Sequence, residues 1–120
     1  MMGHPVMKWQ MIAKNPEAQT QFYTDLFGWK MNNDNPLGYR LMDTQSEHGI
    51  GGGIWPCPPD GHAMVVLYVA VDDLAAQIEK ACRLGGSLII PPQTLPEGDE
   101  MAVIRDPEGL AVGLFKPASL

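Results

Sequence analysis

Cysteines, cationic clusters and long apolar runs are scarce in this chain, and each shortage closes off a class of function. Only two cysteines occur among 120 residues, Cys57 and Cys82. They form no Cys-x-x-Cys pair. One sits in a proline-rich loop and the other on a helix face, so two free thiols are expected and not a disulfide or redox centre. Lys and Arg total 8 against 14 Asp and Glu, a formal net charge of -6. With no basic cluster, nucleic-acid binding is not expected. No apolar run approaches the roughly 18 residues that span a bilayer. The opening "MMGHPVMKWQ" lacks the charged-then-apolar order of a leader peptide, so a cytoplasmic, non-membrane protein is expected. What remains is an ordinary globular composition, with 45% apolar and 18% charged residues, enough for one domain with a core.

The order of elements repeats. "VMKWQMIA" (6–13) has strand character, and Asn15-Pro16-Glu17 reads as a helix start: an Asn cap, Pro at the first position and an acid in the first turn. The helix should end at Gly28, with Ala18, Phe22 and Leu26 as its apolar stripe. Three short strands are predicted over 29–33, 38–44 and 49–55, and "PCPPDGH" (56–62) is the turn-rich linker. "AMVVLYVAV" (63–71) then reads as a strand. A capped helix follows from Asp72-Asp73, with a stripe of Leu74, Ile78, Ala81, Cys82 and Gly85 and a glycine stop. "SLIIPP", "EMAVIRD" and "LAVGLFK" supply three more strands. A shift of 58 positions carries Gly28 to Gly86, Leu26 to Leu84, Gly51 to Gly109 and Trp55 to Gly113. The expected fold is therefore α+β, one domain over 1–120, with module one at about 5–55 and module two at 63–117, each β-α-β-β-β.

A four-stranded sheet under one helix has a second face that must be covered. Two such modules with curved mixed sheets could face each other and enclose a cavity, the natural place for a ligand. Strand parity then sorts the side chains. Met7, Trp9, Met11 and Ala13 would lie under helix one, and Val65, Leu67, Val69 and Val71 under helix two. Lys8, Gln10, Tyr39, Trp55, Val66, Tyr68, Met101, Gly113 and Phe115 would line the cavity, with Met42 in or near it as a gap-filler. Lys8 and Gln10 read either as polar hooks or as residues facing water at the cavity mouth, and the aromatic rings either as a wall for a planar ligand or as side chains that fill the cavity themselves. Gly113 in mid-strand marks a close approach by something else. Asn15, Asp72 and Asp73 read as caps, and Asp106 and Glu108 as turn residues. His48, Cys57 and His62 read as loop residues in water, and His4 as part of a frayed terminus.

"QFYTDLFGWK", "GGGIW", "YVAVDDLAAQIEKACRLGG" and "DPEGLAVGL", in this order and spacing, resemble the vicinal oxygen chelate superfamily. That group holds glyoxalase I, the bleomycin-resistance proteins and the extradiol dioxygenases. The resemblance covers nearly the whole chain. It implies paired βαβββ modules, a cup-shaped cavity and a homodimer. It also implies four inward metal ligands, two on the first strands of the modules and two on the fourth. Carried over by position, these fall on Lys8 or Gln10, on Val66 or Tyr68, on Trp55 and on Gly113. None is His, Asp, Glu or Cys. The expectation is therefore a glyoxalase-like protein that binds a small, partly apolar molecule without metal or other cofactor. The alternative that the resemblance carries is a metal-dependent lyase, isomerase or dioxygenase.

Overall fold

A computed structural model describes residues 3–95 and 98–118, and two βαβββ modules follow one another along the chain. The first holds β1 (Val6–Ala13), α1 (Pro16–Phe27), β2 (Lys30–Asn32), β3 (Arg40–Asp43) and β4 (Gly52–Pro56). The second holds β5 (Met64–Ala70), α2 (Leu74–Arg83), β6 (Ser87–Thr94), β7 (Glu100–Arg105) and β8 (Ala111–Lys116). In each, the first strand runs parallel to the fourth and the rest is antiparallel, so each sheet is mixed. The strand orders are β2-β3-β4-β1 and β5-β8-β7-β6. By contacts the chain separates into a unit of Lys8–Val65 and a unit of Val66 onward that includes the residues before Lys8. Pro5 and His4 belong to the latter. The Pro5 carbonyl accepts from Ala70 N–H at 2.9 Å, and His4 Nδ1 donates to the Ala70 carbonyl at 3.1 Å, so His4 is tied down and not frayed.

Both helices start as the sequence dictates. Asn15 Oδ1 accepts from Ala18 N–H at 3.1 Å, and Asp73 Oδ1 accepts from Ala76 N–H at 3.0 Å. Their buried faces differ from expectation. The α1 stripe of Ala18, Phe22 and Leu26 points outward, with Phe22 and Leu26 more than half exposed. The inward side carries Gln19, Thr20, Tyr23 and Thr24, all half-buried. Tyr23 decides the orientation: its ring stacks on Trp29 at 5.6 Å and 11°, and both pack on a core of Met11, Ala13, Met42 and Ile54. Met42 therefore lies under α1, not in the expected cavity. In the second module Leu74, Ile78 and Ala81 meet Val71, Ala102, Ile104 and Leu114, whereas Cys82 is exposed. Val65 and Leu67 do not lie beneath α2, since both are at least half exposed. Both cysteines are free thiols. Among the described residues no helix is long and apolar enough to cross a membrane.

The last turn is built as the sequence suggests. The Asp106 carboxylate accepts from Glu108 N–H at 3.0 Å and Leu110 N–H at 2.9 Å. The strand after it corrects the repeat. Gln10 pairs with Gly53 and Ile12 with Trp55 in the first module; Tyr68 pairs with Gly113 and Ala70 with Phe115 in the second. First strands and helix caps are thus 58 positions apart, as from Ile12 to Ala70 and from Asn15 to Asp73. The fourth strands are 60 apart, as from Gly53 to Gly113. Trp55 is matched by Phe115, not by Gly113. Two extra residues enter the second module between helix and last strand, and a constant spacing cannot show them.

Candidate functional site

Each sheet has a face that its own helix leaves uncovered, and the expected site residues sit there. In the first module Gln10, the buried polar residue of the core, points to this face from the middle of β1. Its Nε2 donates to the Tyr39 hydroxyl at 3.2 Å. Tyr39 is buried, and its ring packs against Trp55 with centroids 4.7 Å apart and planes tilted by 41°. Gly53, between these groups on β4, makes the arrangement possible. A Cβ there would overlap the Tyr39 ring and hydroxyl, so only glycine lets the ring lie flat on the strand. The sequence signal for this seat was the run "GGGIW". Lys8 stands two residues before Gln10 on the same face, half-buried.

Two polar atoms of this cluster lack partners. Gln10 Oε1 and Trp55 Nε1 are both buried and have no hydrogen-bond partner among the described residues. Such groups are uncommon in native proteins and call for an explanation, because burial without a bond costs about 1–3 kcal/mol each. One is an acceptor and the other a donor. They flank the same ring, and the register makes Gln10 and Trp55 diagonal neighbours on adjacent strands.

The second module uses its uncovered face differently. Val66 and Tyr68 are fully buried, and Met101 and Phe115 nearly so. The Tyr68 ring lies over Gly113, where a Cβ would collide with it. Glycine 113 does mark a close approach, but the visitor is the chain's own tyrosine. The space expected there for a ligand is filled by that ring. Met101 and Phe115 are register partners on β7 and β8 and complete an apolar surface.

The residues at the four positions that metal ligands would occupy offer one carboxamide oxygen, that of Gln10, and no carboxylate, imidazole or thiolate. Replacing Gly113 by its structural counterpart of Trp55, Phe115, adds no donor. Among the described residues no three His, Cys, Asp or Glu side chains converge, so His48, Cys57 and His62 do not form a cluster. Two hollows lie within the first unit. One of about 440 Å³ lies on the α1 side, beside Met11, Lys14, Gln19, Tyr23 and Met64. Another of about 480 Å³ runs along β2 and β3 beside Lys30, Leu41 and Asp43. Neither was foreseen from the sequence: the first is bounded mainly by residues of β1, α1 and β5, the second by β2, β3 and the loop that follows β3.

Comparison with known proteins gives a consistent picture. The Glyoxalase/Bleomycin resistance protein/Dioxygenase superfamily matches residues 3–114. The glyoxylase-named protein CFP32 of Mycobacterium bovis is 36% identical over 107 residues, covering 82% of this chain and 40% of that protein. The anthracycline biosynthesis protein DnrV of Streptomyces peucetius is 30% identical over 115 residues, covering 82% of this chain and 42% of that one. The chain thus spans about two fifths of the length of these relatives. In structure it is similar to methylmalonyl-CoA epimerase from Mycobacterium tuberculosis, with a TM-score of 0.61 at 16% identity, over 94% of this chain and 87% of the epimerase. That likeness concerns the fold.

Proposed function

The chain belongs to the Glyoxalase/Bleomycin resistance protein/Dioxygenase superfamily, and on that premise we propose that it binds a small, partly apolar molecule without a divalent metal. The ligand lies against the face of the first module that α1 leaves uncovered, where aromatic stacking and burial supply most of the affinity and the half-buried Lys8 helps to orient it. The observation that carries this reading is the half-buried Trp55 ring packed beside Tyr39, with the half-buried Lys8 on the same sheet face, the one that α1 leaves uncovered.

The donor set argues for the metal-free half of the proposal. Divalent ions of this superfamily's chemistry want imidazole and carboxylate ligands, and one carboxamide oxygen does not fit them. DnrV, a relative from anthracycline biosynthesis, supports a planar, partly apolar ligand class for this chain. The epimerase, named for a CoA ester, supports a small molecule as the partner.

Two measurements test the proposal. A thermal-shift screen of metabolites and aromatic antibiotics should find a ligand that raises the melting temperature, since a molecule selective for the native state stabilises it by mass action. Elemental analysis of protein purified without chelator should find no stoichiometric divalent ion. A bound ion at one per chain would favour the metal-dependent lyase, isomerase or dioxygenase reading. The protein should assemble as a homodimer, and a light-scattering mass equal to one chain would remove that expectation.

A further inference from the structure

Helix α1 is turned against its own hydrophobicity. Phe22 and Leu26 are more than half exposed, while Gln19 and Tyr23, one turn apart, are half-buried on the inward side. A helix held only by packing does the reverse. Stacking on Trp29 accounts for Tyr23. Gln19 gains little in the protein itself: among the described residues its side chain meets the Met11 thioether, a weak acceptor, 3.8 Å from Nε2. Both residues line the hollow of about 440 Å³ on the α1 side, whose lining lies wholly within Lys8–Val65. That volume suits a small molecule. Met11 and Met64 give the hollow apolar walls that adapt to different shapes. Among its described lining residues the one charged side chain is Lys14, which is exposed and has no ion-pair partner. Glu17, the nearest acid along the chain, is exposed and does not line the hollow. In a chain with a net charge of -6, this is a local reversal of sign.

We infer that this hollow is a second binding site, which takes a small monocarboxylate: an apolar aliphatic or aromatic body lies against Met11 and Met64, and the carboxylate meets the Lys14 ammonium and the Gln19 carboxamide. The site shares no lining residue with Lys8, Tyr39 and Trp55, so it adds to the ligand face of the first module and does not replace it. The choice of charge rests on Lys14 and not on which way the Gln19 amide is turned. A carboxylate accepts from the amide NH2, and rotating that group toward the hollow gives up one weak contact to sulfur. An ammonium ligand would face Lys14 with like charge, and a neutral one would leave the ion pair unmade.

Three probes of one shape read the charge by titration calorimetry on the full chain: 4-phenylbutyrate, 4-phenylbutanamide and 4-phenylbutylamine. The carboxylate should bind tightest, about threefold to fivefold tighter than the amide, the value of one exposed ion pair, and the amine should bind weakest. Added salt should narrow the gap between carboxylate and amide. Lys14→Gln should close that gap while leaving the affinity for the amide in place. Ala63→Trp brings a ring into the hollow from an exposed position of its lining and should weaken all three probes at least about tenfold. Circular dichroism checks that both variants fold, and the ranking of probes on the unmodified chain needs no variant. Equal affinity for carboxylate and amide, or a gap that persists in Lys14→Gln, would overturn the ligand class. Unchanged binding in Ala63→Trp would place the probes outside this hollow, and no heat from any probe at two temperatures would remove the site altogether.

Discussion

The two modules repeat one topology, yet their uncovered sheet faces are finished in opposite ways. In the first, a glycine on the fourth strand seats Tyr39, which holds a buried carboxamide and an indole whose polar ends look for partners. In the second, the matching glycine seats Tyr68, and Val66, Met101 and Phe115 complete an apolar surface. The same device, an aromatic ring laid on glycine, sits beside buried polar groups in one half and in an apolar cluster in the other. Repetition of a fold therefore fixes the backbone frame, while the side chains decide how each copy finishes it.

The contrast can be broken most sharply at Tyr68. Tyr68→Ala removes a fully buried ring and should cost about 4 kcal/mol, read as a lower urea midpoint with little change in slope. Gly113→Ala pushes a Cβ into that ring and should cost about 2 kcal/mol. Gly53→Ala should cost a similar amount but should also abolish ligand binding, because it unseats Tyr39; loss of binding in both glycine variants, or in neither, would erase the distinction between the modules. The helix caps are where the halves agree. Asn15→Ala and Asp73→Ala should each cost about 1 kcal/mol, the usual value of a capping side chain. The smallest effects belong to the outer side of α1. Phe22→Ser and Leu26→Ser should change stability by less than about 0.5 kcal/mol, whereas Leu74→Ala on α2 should cost at least about 2 kcal/mol.

Much of this organisation is legible in the residues. Asn15-Pro16 and Asp73 announce their helices, Gly28 closes the first, and the strands fall within a few residues of the positions that alternation and turn chemistry give. Parity along β1 correctly sorts Trp9, Met11 and Ala13 beneath α1 and Gln10 to the other face. Two things stay hidden. On α1 the stripe of Ala18, Phe22 and Leu26 is not the buried one: Tyr23, stacked on Trp29 and packed on the core of the first module, faces inward instead, and hydrophobic spacing does not register ring against ring. The register of β8 is also invisible, because two additional residues before it leave the local sequence pattern unchanged. For the site, Gln10, Tyr39 and Trp55 could be picked out, but their hydrogen bond and their unpaired atoms could not, since those depend on angles that no alternation records.

The sliding of the last strand by two places has a practical consequence for anyone who would re-engineer this protein. A worker who wished to restore an ion-gripping carboxylate by counting from Trp55 would choose position 113 and bury the new group under a tyrosine ring. The geometric counterpart lies at 115, where a side chain already points the same way as Trp55 does in its own half. Repeated halves are best aligned by who sits beside whom, because a count along the chain is thrown off by every added residue.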